Sequence, residues 1–247
     1  MNLRIWCVAM TLLAATGVSA ADKITKETFG HGGTTRSYYL YVPESVTSAS
    51  PAPLVVLLHG SGRNGLTLVE PWKELAKKQG IILAGPDAIV PAGWNMGPDG
   101  PDFISSLVDI VSAQHPVDPR RVYLFGHSAG AVHGLVLGLL ESQYFAAVAV
   151  HAGALPREAY PYISRAGRKI PLAIWVGTDD AFFPLPAVRA TRDALTAQNA
   201  DIKLTEMAGH NHNYYSRARY INQQAWDFLK PHTLDADPVF TKYAVYK

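Results

Sequence analysis

The sequence predicts a mostly parallel, doubly wound α/β sheet. Three observations lead there. Short β-prone runs alternate with helical patterns along the chain, as strand–helix–strand crossovers require. Several runs, such as "PLVVLLHG" and "AAVAVHAG", are apolar almost throughout, which suits strands covered on both faces. The run "RVYLFGHSAG" stops abruptly at Gly126-His127-Ser128-Ala129-Gly130 and small helix-compatible residues follow, so a buried strand should turn there directly into a helix.

Each element can be justified in order. "RSYYLYVP" alternates and is closed by Pro43, which reads as an edge strand. "PLVVLLHG" is a buried strand, and "LVEPWKELAKKQG" an amphipathic helix with Gly80 just past its end. "IILAGPD" gives the next strand, and "DFISSLVDIVSAQHP" a helix stopped before Pro116. "RVYLFGHS" is a strand with a helix after it from Ala129 to Glu141, followed by strands "AAVAVHAG" and "IPLAIWVG". A helix around "PAVRATRDALTAQ", a strand "KLTEMAG" and a last helix from Tyr214 to Leu229 complete the series. Only about sixteen residues, "ALPREAYPYISRAGRK", separate "AAVAVHAG" from "IPLAIWVG", too few for a separate cap domain. The tail from Val239 to Tyr246 alternates apolar and aromatic residues, and either adds an edge strand or packs on the last helix.

At 247 residues the chain suits one domain with a substantial core. A formal charge of +2 with 17% charged residues gives no electrostatic case for nucleic acid. "MNLRIWCVAMTLLAATGVSA" combines Arg4, an apolar stretch and small residues at Val18 and Ala20, which is the plan of a signal peptide. Residues 1–20 are therefore expected to be removed, leaving 21–247 as the catalytic domain, secreted or periplasmic and without stable membrane insertion. The single cysteine, Cys7, lies in the leader, so no disulfide is expected. Nothing in the sequence specifies an oligomeric state.

Gly-x-Ser-x-Gly between strand and helix is a nucleophile elbow: the strained turn lifts the serine hydroxyl out of the sheet, and the glycines remove side chains that would clash. Ser128 is thus the candidate nucleophile. A hydroxyl needs a base to take its proton, and the base needs an acid to hold its tautomer. Downstream, "GTDDAFFP" offers Asp179 or Asp180, and "GHNHNYY" offers His210 or His212. The order Ser, Asp, His is the one this strand–turn–helix arrangement uses. The glycine-rich "LLHGSGRNG" would supply one oxyanion N–H at Ser61, and Ala129 after the nucleophile the other. His59 is expected to support that loop, and His127, His133 and His151 to be packing residues.

"TRSYYLYVP", "PLVVLLHGSG", "VDPRRVYLFGHSAG", "GTDDAFFP" and "GHNHNYY" come in the order of secreted α/β-hydrolase esterases. The chain resembles the poly(3-hydroxybutyrate) depolymerase-like, feruloyl and acetylxylan esterases, with S-formylglutathione hydrolase (esterase D) as a cousin. The resemblance implies the α/β-hydrolase fold and a serine esterase acting through an acyl-enzyme, without cofactor or metal. It matches Asp180 to the acid of the Gly-Thr-x-Asp-x-x-x-Pro pattern, and His212 to the catalytic histidine of the His-x-aromatic loop. Departures are Ser61, where many depolymerase-like members carry cysteine, and the lack of an appended substrate-binding module. A small-molecule or carbohydrate-linked ester with a short-chain or aromatic acyl group is the implied partner. Trp94, Tyr162, Phe182, Phe183, Tyr214 and Tyr215 fall in or beside the active-face loops and could line its pocket. The competing expectations are a prolyl oligopeptidase-type peptidase and a non-catalytic binding protein on the same scaffold.

Overall fold

The structure, a computed structural model, describes residues 22–241; the expected leader, with Cys7, lies outside them. Eight strands form one sheet in the order β1-β2-β4-β3-β5-β6-β7-β8. They are β1 (Ile24–His31), β2 (Thr34–Tyr41), β3 (Ala52–Leu58), β4 (Ile82–Pro86), β5 (Val117–His127), β6 (Ala147–His151), β7 (Leu172–Gly177) and β8 (Ile202–Met207). β1 and β2 form an antiparallel hairpin, β2 pairs antiparallel with β4, and every other pairing is parallel. Helices α1 (Leu66–Gln79), α2 (Pro101–Gln114), α3 (Ala129–Leu140), α4 (Tyr160–Arg165), α5 (Leu185–Ala197) and α6 (Ala218–Leu229) fill the connections.

Alternation along the central strands divides the core into two layers. Leu54, Val56, Leu58 and Leu124 face α2, α3 and α5, whereas Val55, Leu57, Tyr123 and Phe125 face α1 and α6. Both faces of β3 and β5 are therefore buried, as their unbroken apolar runs require.

Three expectations need correction. The strand "RSYYLYVP" is not an edge: β1 covers its outer side through a register from Ile24↔Tyr41 to His31↔Thr34. The last helix begins at Ala218, after a separate 3₁₀ turn at Tyr214–Arg217. Within its described part the tail makes neither an edge strand nor a layer on α6. Instead Val239 N–H donates to the Gln143 carbonyl at 3.1 Å, Phe240 packs edge-on to Tyr144, and Thr241 donates from its backbone and its hydroxyl to the Glu141 carboxylate. Residues 242–247 lie outside the described residues.

Between β6 and β7 the chain forms only a 3₁₀ turn at Arg157–Ala159 and the short α4. No cap domain covers the sheet there. The C-terminal strand ends consequently open onto a shared face, where ligands gather in sheets of this kind.

Candidate active site

Ser128 stands between β5 and α3 with φ 58° and ψ −120°, a conformation that L side chains seldom adopt. Close packing explains the flanking glycines. A Cβ on Gly126 would lie 2.2 Å from the Gly130 carbonyl oxygen, and one on Gly130 would lie 1.9 Å from that of Leu58. Only with both positions bare can α3 start directly above β3 and β5. The turn then leaves the Ser128 side chain beyond the C-terminal end of β5.

His212 closes on it from the loop after β8. Its Nε2 lies 2.9 Å from Ser128 Oγ, and its Nδ1 lies 2.9 Å from Asp180 Oδ2. A carboxylate only accepts, so Nδ1 carries the imidazole proton and Nε2 turns its lone pair to the hydroxyl. The other oxygen, Asp180 Oδ1, accepts the backbone N–H groups of Phe182 and Phe183, both at 2.9 Å. Asp180 is buried, and all its bonds hold one orientation toward the histidine.

The neighbouring candidates are placed differently. Asp179 is exposed and accepts the Thr178 hydroxyl at 2.9 Å. His210 is buried and its Nε2 meets His151 Nε2 at 3.1 Å. The two histidines of the loop thus diverge, one toward the serine and one into the sheet. Gly177 makes the loop's descent possible, since a Cβ there would sit 1.8 Å from the His210 carbonyl oxygen.

The oxyanion candidates lie on the two segments beside Ser128. Gly60 brings the first loop against Ser128: a Cβ there would be 3.3 Å from Ser128 Cβ. Ser61 is exposed on the same rim, and Ala129 opens α3, whose N-terminal N–H groups favour negative charge. Among the described residues, no hydrogen bond occupies the Ser61 or Ala129 N–H. His59 braces the loop. Its Nε2 accepts the Ala88 N–H at 3.1 Å, so its Nδ1–H donates to the Gly60 carbonyl at 2.8 Å. Burial lowers its proton affinity further.

A cavity of about 550 Å³ opens over Ser128 and His212, with Ser61, Arg63, Phe182 and Tyr215 among its walls. Phe182 reaches within 4.7 Å of the His212 ring centroid. Of the six aromatic candidates, only Phe182 and Tyr215 line this cavity. Phe183 instead stacks on His212 at 5.8 Å and packs against the core. Trp94 donates Nε1–H to the His59 carbonyl at 2.8 Å, its ring packed between His59 and His133. Tyr162 packs at the core margin. Tyr214 is wholly buried, its hydroxyl bonded to Asn222 Oδ1 at 2.5 Å. Its neighbours in sequence face the cavity, but the 3₁₀ turn rotates Tyr214 inward. Arg63, His127, Asn211 and Asn213 also line the cavity. For Arg63, Asn211 and Asn213 a polar loop context offered no periodic signal by which to single them out, whereas His127, expected only to pack, ends β5 at the cavity wall.

A mostly parallel sheet, a strained serine at a strand–helix turn and a Ser–His–Asp hydrogen-bond chain at the strand ends together define an α/β-hydrolase fold. Comparison with known proteins narrows the resemblance to the depolymerase-like, feruloyl and acetylxylan esterase group. The family model described as Esterase PHB depolymerase matches residues 93–182, a span that holds Ser128 and Asp180 and ends before His212. A Nocardia uniformis subsp. tsuyamanensis protein named as an esterase, NocK, is 28% identical over 177 residues, covering 63% of this chain and 51% of its own length. Acetylxylan esterase A of Emericella nidulans is 27% identical over 136 residues, covering 51% of this chain and 44% of its own. The chain thus spans about half the length of these relatives. A ferulic acid esterase from Anaeromyces mucronatus, solved with ferulic acid, shares the fold with a TM-score of 0.68 at 19% identity, over 85% of this chain and 90% of that one.

Among the described residues no helix is long and apolar enough to cross a membrane, and no group of three or more His, Cys, Asp or Glu side chains is arranged to hold a metal ion.

Proposed function

We propose that the protein is a serine carboxylic ester hydrolase working through an acyl-enzyme, with Ser128 as nucleophile, His212 as general base and Asp180 as its orienting acid. The observation that carries this reading is the hydrogen-bonded sequence Ser128 Oγ, His212 Nε2, His212 Nδ1–H, Asp180 Oδ2, at 2.9 Å in each link, beneath an open cavity.

Ser128 Oγ attacks the ester carbonyl while His212 Nε2 takes its proton. The carbonyl oxygen becomes an oxyanion and receives the N–H groups of Ser61 and Ala129. Collapse breaks the acyl–oxygen bond, and His212 passes the proton to the departing alcohol. Water then repeats the sequence on the acyl-enzyme: His212 accepts its proton, the acid is released and Ser128 recovers its hydrogen. Proton and electron pairs balance without any further reactant.

Phe182 and Tyr215 give the cavity aromatic walls, suited to short-chain or aromatic acyl groups, and the absence of a cap leaves room for a carbohydrate-linked alcohol. Residues 1–20 act as an export signal in this reading, so the enzyme meets its substrate outside the cytoplasm. The test is hydrolysis of p-nitrophenyl esters from acetate to decanoate, with methyl ferulate, by the wild type beside Ser128→Ala. Turnover abolished by the substitution supports a serine esterase, and the chain-length profile measures the pocket. Folded wild type that neither turns over an ester nor is labelled at Ser128 by a fluorophosphonate would refute the reading.

A further inference from the structure

Behind the Ser128–His212–Asp180 chain lies a second chain built only of imidazoles. His127, the last residue of β5, is register partner to His151 at the end of β6, and their Nδ1 atoms are 3.0 Å apart. His151 Nε2 continues to His210 Nε2 at 3.1 Å, two residues before His212. All three rings are buried.

A neutral imidazole has one N–H and one lone pair. Each link therefore needs its proton on one side, and the neutral chain has two satisfied arrangements: all protons directed toward His210, or all toward His127. Removing any ring leaves a buried polar atom unpaired.

The chain supports the candidate base from two directions. The His127 ring lies 5.0 Å from that of His212, stacks on Tyr214 at 5.4 Å and meets Tyr215 edge-on. His210 ties the loop carrying His212 to the sheet, while its carbonyl accepts the Asp179 N–H at 2.9 Å.

Protonation is disfavoured on all three rings. Burial lowers His127 to about 4 and His151 to about 2, and lowers His210 as well. Around His127, His212 and Arg63 oppose a proton and Asp180 favours one; around His210, Arg217 and His212 oppose it and Asp180 again favours it. His151 faces only other histidines among its charged neighbours. A neutral wall matters here because His212 becomes an imidazolium during acyl transfer, and a second cation on the adjacent ring would oppose it.

We propose that His127, His151 and His210 are positioning residues for the ester hydrolysis proposed above, an uncharged imidazole strut that fixes the His212 ring against Ser128 and keeps positive charge off the wall beside it. The inference rests on that reading of the site. If the rings merely fill space, an apolar residue of similar volume would serve equally well.

His210→Gln keeps a hydrogen-bonding atom near the position of Nε2, whereas His210→Leu keeps volume and removes it. The Leu variant is expected to lower kcat on p-nitrophenyl acetate at least tenfold with KM within threefold, and the Gln variant to restore kcat to within threefold of wild type. Wild-type kcat in the Leu variant, or equal loss in both, overturns the proposal. Nitrogen-15 NMR of the wild-type histidines supplies a readout that needs neither turnover nor a folded variant. His127, His151 and His210 are each expected to be neutral at pH 7.5, with the N–H groups of two of the three rings held in the two links; a charged ring among them overturns the strut. Loss of all ester turnover in the wild type removes the esterase reading instead, while the spectra still decide the state of the rings.

Discussion

Asp179 and Asp180 are adjacent, yet only one is engaged with His212. Asp180 accepts two backbone N–H groups and the His212 proton, and Asp179 holds only the Thr178 hydroxyl. Asp180→Asn replaces an acceptor by an amide that can favour the wrong histidine tautomer, so kcat is expected to fall by about 10⁴. Asp179→Asn should change kcat on the same p-nitrophenyl ester by only a few-fold, and steady-state kinetics of the pair checks the assignment. Tyr214 and Tyr215 divide in a similar way. Tyr214→Phe leaves Asn222 Oδ1 without its buried donor, an expected loss of about 1–3 kcal/mol in urea unfolding, with the order of preferred acyl chains unchanged. Tyr215→Ala, by contrast, removes a cavity wall. Sequence could not distinguish the two tyrosines because a 3₁₀ turn sets their directions, and such a turn leaves no periodic trace.

The central elements were legible because burial on both faces writes long apolar runs into β3, β5, β6 and β7. β1 was not. Its "ITKETFGH" alternates half-buried and exposed residues with none fully buried, so it has no apolar run to announce it. Without β1 in view, β2 read as the edge. In the tail, where only residues 239–241 of the alternating stretch are described, Phe240 packs as a plug against Tyr144 rather than along a strand. The elbow was the clearest signal, because its glycines are required by contact. Gly130→Ala drives a Cβ to 1.9 Å from the Leu58 carbonyl oxygen, and α3 must move off β3 to admit it. A destabilisation of about 3 kcal/mol or more is expected, read as a lower urea midpoint together with lost ester turnover.

Across the whole molecule, buried histidines link stability to acidity. His127 and His133 are both lowered to about 4, chiefly by burial, against about 6.5 in an unfolded chain. Between those limits the unfolded state binds more protons than the folded one, so stability falls as pH falls and is fully present only above about 6.5. At pH 5 each of the two should have cost about 2 kcal/mol. The urea midpoint is therefore expected to drop between pH 7 and pH 5, and a flat profile would contradict the linkage. The positive φ of Ser128 has a further consequence at this scale. The residue holds that conformation only while α3 is pressed onto β3 and β5, so the hydroxyl proposed to attack is presented only in the assembled fold. Counting turnovers then amounts to counting folded molecules: the clock for loss of activity on heating and the clock for loss of structure are one clock.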